Sequence, residues 1–111
     1  LATVLNELAD ASKTVMELFG NELADPQVRS FCDILGLDPL YMGNEGKLVL
    51  TLPESEAQRA LSLIRSSAYG AGAQVIGAVK YAVTPEVLIH TRSGATRRVE
   101  PLLGEGLPRI C

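Results

Sequence analysis

The apolar residues of this chain change their spacing several times along its length, and those changes limit the folds open to it. Val4, Leu5, Leu8 and Ala9 recur at helical spacing, with Asn6, Glu7 and Asp10 on the other side, which predicts a helix from Leu1 to roughly Ser12. From Lys13 to Phe19 the period falls to two, Val15, Glu17 and Phe19 against Met16 and Leu18, and predicts a strand. Asp25-Pro26 offers an N-cap followed by proline at the first helical position, so a helix should run from Pro26 to Leu35 and stop at Gly36. Val28, Phe31, Cys32 and Leu35 form its apolar stripe. A turn is expected at Asp38-Pro39, a strand from Lys47 to Leu52, and a helix from Pro53 to about Ser67 with Ala57, Ala60, Leu61 and Ile64 inward. Strands follow at Ala73 to Ala82 and around Val87, Ile89 and Thr91, and Ser93-Gly94 turns the chain into a last one, Thr96 to Val99.

The order α-β-α-β-α-β-β-β implies an α+β fold, a mixed or antiparallel sheet of about four to five strands with helices packed on one face. At 111 residues there is room for one core and not for two. Residues 1–103 are expected to form this domain and 104–111 a tail.

Composition excludes several functions. A net charge of −3, scattered basic residues and no Trp argue against nucleic-acid binding. No apolar run reaches the ~20 residues of a membrane span. The chain opens Leu1-Ala-Thr3 without a basic leader or initiator methionine, so an excised domain is expected. Cys32 and Cys111 are too few for a disulfide scaffold, and adding His90 still leaves a tetrahedral metal site a ligand short. Unpaired thiols fit the cytoplasm.

Most chemistry-bearing side chains have an ordinary explanation. Cys32 reads as a small buried hydrophobe, His90 as a solvated or edge-strand imidazole, Arg97-Arg98 as a solvated pair straddling a strand, and Gly70-Ala-Gly72 as a turn, lacking the spacing of a phosphate loop. Asn44-Glu-Gly-Lys47 sets an amide, a carboxylate and an ammonium around a glycine. Alone it is a polar turn. If a partner domain closes over Glu45, the carboxylate becomes suited to proton transfer, with Asn44 orienting and Lys47 pairing with it or stabilising a phosphorylated species.

The carboxyl end, Gly104-Glu-Gly-Leu-Pro-Arg-Ile-Cys111, carries a thiol on the last residue. Two glycines loosen the backbone, while Pro108 fixes its own φ and biases Leu107 toward extension. A thiol ionises near pH 8.5, leaving a few per cent thiolate at neutral pH, so Cys111 is either an unused terminus or a nucleophile on an arm.

Leu107-Pro-Arg-Ile-Cys111 after Val99-Glu-Pro-Leu-Leu-Gly-Glu105, together with Leu35-Gly-Leu-Asp-Pro-Leu-Tyr41 and Asn44-Glu-Gly-Lys47, resembles the carboxyl-terminal domain of the HypE family of nickel-iron hydrogenase maturation proteins. The resemblance runs from the first residue to the last. It implies the carboxyl-terminal fold of the aminoimidazole-ribonucleotide-synthetase-like (PurM-like) superfamily. It also implies that ATP and Mg are held mainly by an amino-terminal domain absent here. On this family pattern a carbamoyltransferase, HypF, loads a carboxamide onto Cys111. ATP-dependent dehydration turns it into a thiocyanate, and the cyano group passes to the HypC–HypD complex as a cyanide ligand of the hydrogenase iron. Glu45 is then the candidate base, Asn44 and Lys47 its helpers, and Arg109 and Pro108 the residues that dock the tail. The domain's own amino-terminal partner is a further expected contact, and a homodimer is allowed. In isolation it should neither hydrolyse ATP nor make thiocyanate. Two other readings stay open: a non-catalytic interaction module docking through its tail, and the carboxyl-terminal domain of another ATP-using synthetase of the superfamily.

Overall fold

The structure is a computed structural model and describes residues 1–19, 23–91 and 93–102. Among them are three α-helices, one 3-10 turn and four strands, in the order α1 (Ala2–Ser12), β1 (Thr14–Phe19), α2 (Pro26–Leu35), the 3-10 turn Pro39–Tyr41, α3 (Glu54–Arg65), β2 (Gly77–Tyr81), β3 (Glu86–His90) and β4 (Thr96–Arg98). They divide into two compact units, Leu1–Gly46 together with the chain from Gly77 onward, and Lys47–Ile76.

The first unit is built on a mixed sheet of order β2-β1-β3-β4. β1 pairs antiparallel with β2 (Met16 opposite Val79) and parallel with β3 (Met16 opposite Val87). β3 pairs antiparallel with β4, Ile89 opposite Arg97. The period of two predicted for β1 sends Thr14, Met16 and Leu18 to one face, where all three are buried, and Val15 and Glu17 to the other. Helix α1 lies on the first face. Its Ala2, Leu5 and Ala9 are buried there, with Met16, Leu18, Val87, Ile89 and Val99 completing the core. Thr14 is the buried polar residue of this core, and its hydroxyl is satisfied by Ser12 Oγ at 2.8 Å. Asn6 donates from Nδ2 to its own helix at Ala2 O (2.9 Å) and to Val99 O (3.0 Å), which fastens the exit of β4 to α1.

Helix α2 begins and ends where its sequence signals say. The Asp25 carboxylate accepts from Gln27 N at 2.8 Å, Pro26 occupies the first turn, and Gly36 closes the helix at φ 66°. Its expected stripe is only partly used. Cys32 is fully buried, 3.3 Å from the sulfur of Met42, whereas Val28, Phe31 and Leu35 are exposed. The small-hydrophobe reading of Cys32 holds.

The second unit contains α3, preceded by Pro53 at the N-cap, with Glu54 and Glu56 in the first turn. Ala57, Ala60, Leu61 and Ile64 are half-buried, as their spacing predicts. Arg65 Nε closes the unit on itself by donating to Ala73 O at 2.9 Å. Gly70-Ala-Gly72 is a turn, Ala73 N donating back to Gly70 O at 2.9 Å.

Two strand expectations are corrected. Lys47 to Leu52 joins no ladder, and Leu48, Leu50 and Leu52 are exposed rather than alternately buried. Alternation supplies a strand's side-chain pattern, but the strand itself needs a neighbouring edge for its backbone hydrogen bonds. The strand predicted over Ala73–Ala82 is shorter, Gly77–Tyr81, because β1 offers partners only from Thr14 to Leu18. Arg97 and Arg98 straddle β4 as expected, but each is ion-paired rather than merely solvated. Arg97 Nη2 lies 2.9 Å from Asp38 Oδ2, and Arg98 Nε 3.6 Å from Glu100 and 4.0 Å from Glu86.

Candidate functional site

The segment between α2 and Gly46 is shaped by short polar side chains acting on nearby backbone. Asp38 accepts from Leu40 N through Oδ1 at 3.0 Å, an aspartate turn that starts the 3-10 turn. Tyr41 N and Met42 N close it onto Asp38 O and Pro39 O at 3.0 and 3.3 Å. Leu40 points inward and is buried, and its carbonyl accepts from the main-chain nitrogen of Leu1 at 3.0 Å. Met42 packs its sulfur on Cys32. The stretch that follows is thus tied to both α1 and α2 before the polar residues begin.

Those residues, Asn44, Glu45 and Lys47, are all exposed, and Gly46 between them adopts φ 76°, where an L side chain would be strained. The left-handed glycine turns the chain between Glu45 and Lys47. Asn44 and Glu45 belong to the first compact unit, and Lys47 opens the second. The structure therefore keeps Asn44 and Glu45 together on one outward-facing turn.

Other side chains gather in ways the sequence did not announce. Asp38 uses its second oxygen for Arg97, and Tyr41 Oη donates to Glu100 O at 2.8 Å. Both ties join the turn to the strand exit 59 residues further along the chain. The Tyr41 phenol is held above its ordinary pKa, chiefly by burial and then by the negative charge of Asp38, against which Arg97 acts. On the sheet face turned away from α1, Glu17 bonds Lys80 Nζ at 2.8 Å and lies 3.8 Å from His90 Nε2, while His90 Nδ1 meets Thr96 Oγ1 at 2.9 Å. Lys80 holds the Glu17 carboxyl below its ordinary range, first by its hydrogen bond and also by its charge, with His90 adding to the effect against partial desolvation. The edge-strand expectation for His90 is corrected: it ends β3, an inner strand paired with β1 through Phe19 and with β4 through Thr96, and its imidazole is half-exposed and engaged by its neighbours.

The remaining residues singled out in the sequence, Pro108, Arg109 and Cys111, lie outside the described residues, as does the boundary between 103 and 104. Among the described residues no three His, Cys, Asp or Glu side chains come together as a metal set. No described helix is long and apolar enough to cross a membrane.

With strand order β2-β1-β3-β4, α1 on one face and the polar turn at Asn44–Gly46 in view, comparison with known proteins assigns the fold. Residues 1–89 match the family model described as AIR synthase related protein, C-terminal domain, and the chain belongs to that family. Within it, the chain is similar to the carbamoyl dehydratase HypE of Rhodobacter capsulatus, with 44% identity across all of this chain and 33% of the relative's length. A crystal structure of the hydrogenase maturation protein HypE in complex with ATP superposes with a TM-score of 0.87 at 41% identity, covering all of this chain and 35% of that one. A crystal structure of a HypE–HypF complex matches with a TM-score of 0.83 at 32% identity, covering 91% of this chain and 33% of that one. The chain thus spans about a third of the length of the relatives it matches.

Proposed function

We propose that this chain is the carboxyl-terminal domain of a HypE-type hydrogenase maturation factor and supplies the acceptor thiol and part of the dehydration site for making cyanide ligands. The observation that carries this reading is the similarity to a carbamoyl dehydratase across the whole chain, through to its final cysteine. The exposed turn at Asn44–Gly46 supports it, since side chains that face outward can meet a second domain or a visiting group. The solved complexes support the partners: one relative binds ATP, and one is bound to HypF.

The chemistry runs in two stages. Cys111 Sγ loses its proton and attacks the carbonyl carbon of an activated carbamoyl group held by HypF; the bond from that carbon to its activating group breaks, the activating group leaves with the electron pair and stays with HypF, and S–C(=O)–NH2 is formed. Dehydration then removes the amide oxygen and both nitrogen-bound protons, leaving S–C≡N. ATP is the co-substrate whose γ-phosphoryl group departs with that oxygen, giving ADP and phosphate. Glu45 accepts a proton from the amide nitrogen, Asn44 orients the carboxylate or the amide, and Lys47 offsets negative charge. Pro108 stiffens the tip of the tail and Arg109 docks it against phosphate. The cyano group then leaves for the HypC–HypD complex, two electrons from a reductant on that acceptor side cleaving the S–C bond so that Cys111 returns as a thiolate and the carbon leaves as cyanide.

The described residues contain no acidic metal cluster, and Gly70-Ala-Gly72 is a turn within its own unit. In the proposed reading ATP and Mg are held mainly by the amino-terminal domain of the complete protein, as the family resemblance implies, and this domain alone is expected to be inactive. A cytoplasmic setting follows from a chemistry that keeps its thiol reduced.

The test is mass spectrometry of the chain after incubation with the complete carbamoylation system. A carboxamide on Cys111 and none on Cys32 is expected. An adduct on Cys32, or none on Cys111, contradicts the carrier role.

A further inference from the structure

We propose that Tyr41 and the Asp38–Arg97 pair are positioning residues that lock the strand exit from which the tail departs onto the turn that presents Glu45. This rests on the function proposed above and adds residues which that function leaves unassigned. Two observations carry it independently of the tail itself.

The first is that the turn and the strand exit are joined twice. Arg97, the second residue of β4, donates to Asp38 at 2.9 Å, and Glu100, two residues past β4, accepts from the Tyr41 hydroxyl at 2.8 Å. A single tie permits rotation about itself, whereas two ties spaced along both segments fix their direction. Asp38 cannot be moved cheaply, because its other oxygen caps Leu40 N and so holds the turn's own backbone.

The second is that the strand exit is itself anchored. Val99 is fully buried, its nitrogen donates to Val87 O at 2.8 Å, and its carbonyl accepts from Asn6 at 3.0 Å. Tyr41 and Arg97 thus join two fixed segments.

The consequence is geometric. Glu45 lies four residues after Tyr41 (45 − 41), and Cys111 eleven after Glu100 (111 − 100). Eleven residues extend at most about 36–40 Å. Within that radius, the concentration of a tethered group at its target depends on where and in which direction the tether starts. A root tied to Tyr41 starts that search from a point four residues before the base along the chain.

The test uses the full-length protein carrying this domain, with Cys111 first loaded with carboxamide by HypF and dehydration then followed in a single turnover with saturating ATP. Tyr41→Phe removes one hydroxyl and keeps the ring, and Arg97→Gln removes the charge. Each is expected to slow dehydration by about three- to tenfold, the scale of one hydrogen bond, while the rate of loading by HypF and the KM for ATP stay as in the parent. Inserting Gly-Gly after Leu102 is expected to slow the parent and to add little in the Tyr41→Phe background, because the tether is already loose. Deuterium uptake over residues 96–102 is expected to quicken in both variants. Unchanged dehydration in both variants, or full additivity with the insertion, overturns the positioning role. So does a matching loss of loading, which would mean general damage to the fold. Glu45→Gln separates this from the functional reading. If it dehydrates at the parent rate, Glu45 leaves the mechanism, and if Cys111 takes up no carboxamide the proposed function itself fails, whereas a block at Glu45→Gln beside normal turnover in both Tyr41→Phe and Arg97→Gln removes only the positioning role.

Discussion

At the scale of single residues, exposure and ion pairing each carry a prediction. Glu45 is exposed on its turn, and in a full-length protein Glu45→Gln is expected to stop dehydration while Cys111 still takes up carboxamide, both read by mass spectrometry. Glu17 is engaged by Lys80 and His90. Its folded pKa lies below its unfolded one, so the pairing stabilises the fold above the ordinary carboxylate range and is lost as pH falls through the folded value. Melting temperatures of the parent and of Lys80→Met should therefore differ near neutral pH and converge in acid, and a gap that persists in acid would contradict the assignment. The burial of Cys32 and the outward-facing polar turn at Asn44–Gly46 were legible from their surroundings in the sequence. Tyr41, Asp38 and Arg97 were not, because their partners stand 59 positions away and nothing local marks a tyrosine as a tie.

Elements are legible where a local signal and a tertiary partner agree. Asp25-Pro26 and Gly36 bound α2 as read, since capping is decided within a few residues. Lys47 to Leu52 has the alternation of a strand without an edge to pair with, and its leucines stand exposed, Leu48 at 91%. The same contrast predicts mutational cost. Leu5→Ala, on the buried face of α1, should cost roughly 2–5 kcal/mol in urea unfolding of this chain, whereas Leu50→Ser should stay within about 0.5 kcal/mol. Gly77 opens β2 where a Cβ would collide with the Glu17 carbonyl, so Gly77→Ala should cost about 1–3 kcal/mol by prising β2 from β1. An unchanged unfolding midpoint in Gly77→Ala would contradict the β1–β2 register.

For the whole molecule, the sequence pattern carried the fold class and the resemblance carried the family, because a sheet with helices on one face follows from periodicity while strand order and the parallel pairing of β1 with β3 do not. In the proposed function this domain is a carrier: a folded body that presents one sulfur to donor, ATP site and acceptor in turn. Deleting Cys111 should leave the binding of HypF largely intact, measured by calorimetry, while ending all carbamoylation, a split that a purely docking tail would not produce. The most direct measurement is the mass of the Cys111 peptide through one cycle with HypF and ATP in the full-length protein. A carboxamide that appears on Cys111 and is then converted there to a thiocyanate is the predicted result. A carboxamide that never forms on that sulfur, or forms and is not dehydrated, contradicts it.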